Sequence, residues 1–337
     1  MNHRAQIGML PDGRRVHMQD GPIDLIVEAF GAPSEVERAY RAAAARFVTM
    51  LDELCSELPL LRREIPRFED RETRGTQLPD GAMPKGRVAR RMFAAVLPYA
   101  ATTFITPMAA VAGAVAEEIV GVMTSAAVLQ RAYVNDGGDI ALHLTTGGQF
   151  NVGMMEYPLP SAEPTFRTPR NVGHPALFGT TTIEFSHPVR GIATSGWRGR
   201  SFSLGVADSV TVLADTASMA DAAATIVANA VDLPGHPAIG RARACDLAPD
   251  SDLGDRLVTQ SVGELALDEI REALDLGVRV AESLKQRGLI WAAALRLKDE
   301  TRVTSTSESK TFTTEYTELH GGKQRLIGQR VESIVHA

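Results

Sequence analysis

The chain has 337 residues, of which 44% are hydrophobic and 23% are charged, and its formal net charge is −6. The length suits one large domain or two modest ones, and the acidic balance argues against a nucleic-acid partner, which normally requires a basic stripe. The two cysteines, Cys55 and Cys245, form no CxxC pattern, which excludes a zinc ribbon or a disulfide framework and fits a reducing compartment.

The N-terminal residues and the apolar runs bear on where the protein works. Residues 1–21 hold no apolar stretch of the signal-peptide kind. The longest run of small apolar residues, 108–123, is interrupted by Glu117 and Glu118 and is too short and too acidic for a membrane span. We therefore expect a cytoplasmic protein that does not enter a membrane.

The first part of the chain predicts strands followed by a helix. Residues 8–30 carry two turn signals between apolar runs and are expected to form strands. From Ser34 onward the apolar residues follow one helical face, and Ser34 with Glu37 matches a capping box. This helix is expected to stop before Pro59.

Two further helices follow a charged connection. Residues 62–85 are rich in charge, proline and glycine and predict a surface loop or lid. One helix begins near Arg87, and another runs from Met108 to Met123 with Thr106 as its cap. The second helix is built almost entirely from small residues, so we expect either a neighbouring element or a ligand to lie close to its backbone at Gly113.

The rest of the chain predicts short strands and two helices. Residues 149–155 are expected to return antiparallel to 140–144 through a hairpin turn at Gly147-Gly148. Residues 232–248 are expected to be a loop. The other predicted elements are strands at 132–134, 178–185, 209–214 and 289–297, an alanine-rich helix ending near Val231, and a long helix at about 264–285.

This order of elements is neither βαβ-regular nor all-β. It predicts an α+β fold with mostly antiparallel sheets and helices, in a single large domain. No GxGxxG follows a strand and opens a helix, which argues against a Rossmann fold. The domain is expected to span 1–300, and the polar residues 301–337 are expected to form a linker and a C-terminal extension.

Asp221 and Thr225 form the first candidate site. At positions i and i+4 their side chains share one helical face, so a carboxylate and a hydroxyl can point at one cation. Magnesium prefers hard oxygen ligands and often takes one or two carboxylates plus phosphate oxygens and water. The alternative is a capping box from Ser218 to Asp221, in which the carboxylate would accept a backbone N–H instead.

The second candidate is the loop Asn135-Asp136-Gly137-Gly138-Asp139. Gly137 and Gly138 permit positive φ and a close backbone approach to a ligand, while the two acids, Asp136 and Asp139, could bind a hydroxyl or a cation. The alternative is a tight turn or bulge that needs glycine for its geometry.

The third candidate is Thr194-Ser195-Gly196 with Arg198 and Arg200. Backbone amides helped by guanidinium groups suit a phosphate or a carboxylate, so an anion-binding loop is the preferred interpretation. Ser195 could instead be a nucleophile, although the histidine nearest to it in sequence, His187, is not linked to it by any motif.

The fourth candidate is the acidic run 249–255 with Thr259. Its carboxylates, Asp250, Asp252 and Asp255, could converge on a ligand. An exposed Asx-turn followed by a helix cap would give the same pattern.

Taken together, these segments resemble the ApbE superfamily of magnesium-dependent flavin transferases, which have a T-fold-like arrangement of antiparallel sheet and helices. The motifs that match lie within 106–117, 134–142, 193–212 and 220–231. The segment 249–259 is similar to a cytoplasmic branch of the superfamily. The resemblance extends over most of 14–297.

The resemblance implies roles for single residues. Asp221 and Thr225 match the metal-binding pair of the family, which implies Mg²⁺. Asn135, Gly137, Gly138 and Asp139 match a loop that contacts a nucleotide or flavin, and Ser195 with Gly196 matches the family's Ser-Gly segment.

The chain also departs from the transferase pattern. Ala112 stands where transferases carry a lysine, and Glu117 replaces an aspartate. Residues 203–208 stand where the transferases have a run that contains the histidine expected to assist transfer.

Three functional hypotheses remain open at this stage. The first is an ApbE-like enzyme that acts on a flavin or another anionic, ring-containing molecule, with FMN transfer from FAD as its specific form. The second is a hydrolase of a small cyclic amide or ester, in which Ser195, or a water held by Asp208, Asp250 or Asp252, attacks. The third is a non-catalytic ligand-binding protein. In each case we expect a small-molecule partner and a homodimer.

Overall fold

A nine-stranded antiparallel sheet forms the centre of the fold, in the order β1-β2-β3-β4-β5-β8-β9-β12-β13. The computed structural model describes residues 5–65, 83–155, 177–304 and 334–336. The strands of this sheet are β1 Gln6–Met9, β2 Val16–Asp20, β3 Ile23–Phe30, β4 Arg131–Asp136, β5 Asp139–Leu144, β8 Gly191–Ser195, β9 Ser209–Ala214, β12 Ala292–Leu297 and β13 Glu300–Val303.

Helices cover one face of this sheet. They are α1 Pro33–Leu61, α2 Arg87–Val96, α3 Val111–Ala126, α4 Ala217–Ala230 and α6 Leu267–Gln286. A short 3₁₀ turn, Pro107–Ala110, leads into α3, and the one-turn helix α5 Ala244–Leu247 lies outside this layer. The main core lies between the helices and the sheet face that carries Leu25, Val134 and Ala141.

A second, smaller sheet covers part of the opposite face. It contains β6 Gln149–Met155 between β7 Leu177–Glu184 and β14 Ile334–His336. Phe150 and Ile183 from this sheet pack against Tyr133, Ile140 and Ile192 of the large sheet in a separate core. β10 Ile239–Arg243 and β11 Leu257–Val262 form an additional antiparallel pair. The predicted α+β class with mostly antiparallel sheets is therefore confirmed.

The structure corrects two predictions about α1. Its N-cap is Ala32, whose methyl group cannot accept a hydrogen bond, so the predicted Ser34/Glu37 capping box is wrong. The helix also continues through Pro59 to Leu61. Pro59 removes one helical hydrogen bond, the one to the carbonyl of Cys55, but Leu61 is completely buried, so burial outweighs the cost of the proline.

Two further predictions fail for tertiary reasons. Residues 149–155 do not return along β5, because β5 is flanked by β4 and β8, and β6 pairs with β7 instead. The burial of Phe150 against Tyr133 favours this departure. The segment 232–248 is not simply a loop, since it contains β10 and α5, and β10 is paired along its length with β11.

Helix α3 lies in the interior of the fold. Among the described helices, Pro107–Ala126 is long and apolar enough to cross a membrane by length and composition alone. Glu118 in this stretch is completely buried, and its carboxylate accepts hydrogen bonds from Arg46 of α1, at 2.9 Å, and from Arg91 of α2. These tertiary ion pairs identify α3 as a core helix.

The first turn of α4 is held between two glycines. A Cβ atom on Gly113 of α3 would lie 2.2 Å from the carbonyl oxygen of Ala217, and one on Gly191 of β8 would lie 2.1 Å from that of Thr216. The backbones of α3 and β8 therefore pack directly against the backbone at the start of α4, one on each side. Of the two expectations for Gly113, the neighbouring element is the one observed.

The predicted domain limits stay a prediction. Residues 301–303 belong to β13 and pair with β12, so the large sheet extends slightly past residue 300. Most of the predicted loop 62–85 and most of the extension 301–337 lie outside the described residues.

We predict that Gly191→Ala lowers the free energy of unfolding by about 2–4 kcal/mol, because the added methyl group meets fixed backbone that cannot move aside. Urea unfolding followed by circular dichroism measures this change. Gly8→Ala is the control, since a Cβ there meets nothing within 4 Å, and its effect should stay within about 0.5 kcal/mol. Equal effects of the two substitutions would contradict the close packing of α4.

Candidate functional site

The turn between β4 and β5 brings two carboxylates to the helix-covered face of the sheet. Asp136 ends β4 on the same face as Val134, and it is only 4% exposed. Gly137 and Gly138 make the turn with φ values of 64° and 114°, which L-residues with side chains rarely adopt. Asn135 Oδ1 accepts a hydrogen bond from Gly138 N at 2.8 Å, so Asn135 stabilises the turn.

Asp221 reaches the same region from α4. Thr216, not Ser218, caps α4 by accepting from Met219 N at 3.3 Å, so the alternative of a capping box ending at Asp221 is wrong. Asp221 Oδ2 accepts instead from Gly113 N at 3.0 Å, in the first turn of α3. Asp221 thus satisfies a free backbone amide at the positive end of α3.

Asp136, Asp139 and Asp221 interact electrostatically, and we refer to them as the carboxylate cluster. Burial raises the pKa of Asp136 to about 7, against the opposing effect of Arg200. Burial also raises the pKa of Asp221 to about 7, although the amides of Gly113 and Ala112 oppose it. Burial, reinforced by the charges of Asp221 and Asp136, raises the pKa of Asp139 well above its usual value.

The predicted anion loop borders this cluster. Thr194 N donates to Asp139 Oδ1 at 3.3 Å, and the Thr194 hydroxyl contacts that of Thr211 at 2.9 Å. Arg200 Nη2 lies 3.6 Å from Asp136 Oδ1. The structure therefore brings Asp221, the 135–139 turn, Thr194 and Arg200, which lie far apart in the chain, to one place.

Arg198 and Asp208 have a different environment. Asp208 Oδ1 accepts from Arg198 Nε at 2.5 Å and from Trp197 Nε1 at 3.1 Å, while its Oδ2 accepts from Lys298 N at 2.5 Å. The Arg198 guanidinium also lies 4.7 Å from the centre of the Trp197 ring. These contacts attach the loop that follows β8 to the turn at the end of β12. A catalytic role for Asp208 stays a prediction.

Ser195 and Gly196 end β8. Gly196 allows a close approach of Asp208, whose carbonyl oxygen would lie 2.4 Å from a Cβ there. Ser195 is half-buried and pairs with Val210 of β9. His187 lies before the opposite end of β8, where its Nδ1 accepts from Glu184 N at 3.2 Å, so the structure does not bring it to Ser195.

The acidic run 249–255 contacts the approach to α3. Asp252 Oδ2 accepts from the Thr106 hydroxyl at 2.5 Å, and nearby the Arg256 guanidinium lies 3.2 Å from the centre of the Phe104 ring. Thr259 donates to the carbonyl oxygen of Gly205 at 2.8 Å. These contacts join the run to the fold, and a catalytic role for Asp252 stays a prediction.

The carboxylate cluster offers hard oxygen donors, which are the ligand type that Mg²⁺ prefers. Within the described part of the chain, no three His, Cys, Asp or Glu side chains stand in a preformed metal-binding arrangement. The raised pKa values of the three carboxylates nevertheless show that nearby positive charge does not compensate for their burial. A bound cation would supply that charge. Asp221, Asp139 and the half-buried Thr225 would hold Mg²⁺, leaving other positions to substrate oxygens and water.

Sequence reasoning singled out Asp136 only as one of the two acids of the turn and did not foresee that its carboxylate is buried. The sequence does hold a signal for this burial. Strand residues alternate between the two faces of a sheet, and Ala132, Val134 and Asp136 are each two residues apart, so they share one face. A carboxylate in line with core residues indicates a buried charge, and buried charges need a partner.

The fold and the site define a class of protein: an α+β protein with a partly buried carboxylate cluster beside an arginine-containing loop. A family model described as AbpE bacteria matches residues 7–303. The chain therefore belongs to this family, and the ApbE-like assignment from its motifs is confirmed.

Individual relatives are more distant. A UPF0280 protein of Methanococcoides burtonii is 36% identical over 139 residues, covering 41% of this chain and 51% of the relative. A UPF0280 protein of Methanopyrus kandleri is 31% identical over 163 residues, covering 48% and 56%. The chain thus spans about half the length of these curated relatives.

A solved structure was also matched. The apo flavinyl transferase ApbE of Pseudomonas stutzeri aligns over 90% of this chain and 94% of its own, with 12% identity and a TM-score of 0.38. At that TM-score the similarity carries no argument about this chain.

We predict that Asp136→Asn in EDTA stabilises the protein increasingly as pH rises. The pKa of Asp136 is about 7 in the folded state and 3.8 as its ordinary value, so folding favours the protonated form. The wild type therefore loses stability between about pH 4 and pH 7, and the variant should gain about 4 kcal/mol over it across that range.

Urea unfolding at several pH values measures this difference. Asp250→Asn, at an exposed position, controls for the change in net charge and should show no such trend. A gap between Asp136→Asn and wild type that stays constant with pH would contradict the burial of an ionisable Asp136.

Proposed function

We propose that this protein binds a flavin nucleotide together with Mg²⁺ and acts on FAD as a member of the ApbE superfamily. The observation that carries the proposal is the carboxylate cluster, three aspartates of raised pKa beside a loop that ends in Arg200. A cation and a negatively charged ligand together would balance the charges of this arrangement. Family membership supports the choice of a flavin as the ligand.

The residues of this chain would have distinct roles in such a complex. Asp139, Asp221 and Thr225 would hold Mg²⁺ through oxygen atoms. The bound ion would neutralise the diphosphate oxygens and stabilise the charge that develops on a transferred phosphoryl group. Gly137 lacks a side chain at the edge of the site, so a ligand can approach the backbone of the turn closely once Arg200 moves aside.

The reaction that follows from this arrangement is cleavage of the FAD diphosphate. A P–O bond between the two phosphates breaks, AMP leaves, and the FMN phosphorus forms a bond to the oxygen of a hydroxyl acceptor or of water. The proton of that oxygen passes to solvent or to Asp136, the carboxylate of the cluster that does not hold Mg²⁺ and whose raised pKa of about 7 suits a proton acceptor at neutral pH. Arg200 would bind the negatively charged phosphates.

Mixing the purified protein with FAD and Mg²⁺ tests the proposal. We expect FAD binding, followed by stoichiometric release of AMP that chromatography detects and EDTA abolishes. Thr225→Val keeps the shape of the side chain and removes one oxygen ligand, so it should weaken the apparent Mg²⁺ affinity at least about ten-fold.

The matched control is Thr49→Val on the outside of α1, where the hydroxyl contacts Arg46 and Glu53 away from the cluster. It should leave Mg²⁺ affinity unchanged. FAD binding without AMP release would support a non-catalytic binding protein instead. Absence of both FAD binding and Mg²⁺ binding would refute the proposed function.

A further inference from the structure

Arg200 lies directly on the turn that carries the carboxylates. Its Nη2 is 3.6 Å from Asp136 Oδ1, and a Cβ atom built on Gly137 would be 1.9 Å from that nitrogen. The guanidinium therefore packs against the Gly137 backbone in space that a side chain would otherwise fill. Arg200 thus lies on the solvent-exposed side of the turn, next to Asp136.

The charge of Arg200 acts on the cluster. It opposes the effect of burial at both Asp136 and Asp139. Arg198, two residues earlier, is held by Asp208 at 2.5 Å and by the ring of Trp197. Of the two arginines in this loop, Arg200 is thus the one that faces the carboxylates.

The contact of Arg200 is easily reversed. A distance of 3.6 Å is longer than a charge-assisted hydrogen bond, which measures about 2.7–2.9 Å. The Arg200 side chain is 56% exposed, whereas that of Asp136 is 5% exposed. Exposed guanidinium groups gain little from a single long ion pair, so Arg200 can leave while the buried carboxylates stay in place.

We propose that Arg200 is an exchangeable counter-ion of the carboxylate cluster, which gives way to a divalent cation and then binds the anionic group of the substrate. The inference rests on the proposed function, because it requires a cation at the cluster. It adds an order to binding: the cation enters first, and the arginine that it releases completes the anion site. The substrate phosphates are thereby recognised best when the cation is present.

Cation binding without substrate provides the first test. Isothermal titration with Mn²⁺, a spectroscopically visible substitute for Mg²⁺, compares wild type with Arg200→Gln. Loss of the competing guanidinium should tighten Mn²⁺ binding about three- to five-fold. Arg41→Gln removes the same charge from an exposed position on α1, where Arg41 pairs with Glu37, and should change Mn²⁺ affinity less than about two-fold.

Gly137→Ala provides an independent variant. Its methyl group would displace the guanidinium tip, a flexible neighbour, without removing its charge from the protein. Mn²⁺ binding should tighten in the same direction as in Arg200→Gln. Because φ at Gly137 is 64°, which strains alanine, thermal unfolding must first confirm that the variant is folded; Arg200→Gln carries the test if it is not.

Coupling between the ligands completes the test. Saturating Mn²⁺ should strengthen FAD binding, measured by flavin fluorescence, several-fold more in wild type than in Arg200→Gln, because only the wild type gains a released guanidinium. If wild type binds Mn²⁺ and FAD but Arg200→Gln binds Mn²⁺ no more tightly, the counter-ion role is overturned and the proposed function stands. If neither protein binds Mn²⁺, both are overturned.

Discussion

The site depends on the close packing of the first turn of α4 between Gly113 and Gly191. Because neither position has a side chain, α3 and β8 approach the α4 backbone closely from two sides. This approach places Asp221 where it accepts from the Gly113 amide, and it sets α4 against the interior strands β8 and β9 of the large sheet. A bulkier residue at either glycine would move Asp221 away from the other carboxylates.

The carboxylate cluster lowers the stability of the folded state, and other contacts in the fold offset this loss. Buried aspartates of raised pKa destabilise the folded state at neutral pH. Stabilising contacts surround them: the α3 amides hold Asp221, Thr194 N holds Asp139, and ion pairs join α3 to α1 and α2 through Glu118. Retaining such a cluster in an otherwise apolar interior is typical of a ligand site.

Local sequence patterns predicted most helices and strands and the segments that form the site. They did not predict where each element ends or which side chains contact one another. The matching motifs indicated the Asp221 face, the 135–139 turn and the 194–200 loop, and these do come together. The sequence did not reveal that Asp208 holds Arg198 or that Asp252 bonds Thr106, because these contacts join segments whose separation is set by packing. Pro59 within α1 shows the same limitation, since the burial of Leu61 outweighed a local signal.

The sequence by itself determined the alternation of the strands, the glycines of the β4–β5 turn and the shared helical face of Asp221 and Thr225, because these follow from backbone geometry over a few residues. Tertiary structure alone decided the ionisation of the site. Whether an aspartate keeps its ordinary pKa depends on burial and on charges brought from other elements. The raised pKa of Asp136, for example, results from burial opposed by the charge of Arg200, and only the tertiary structure supplies both.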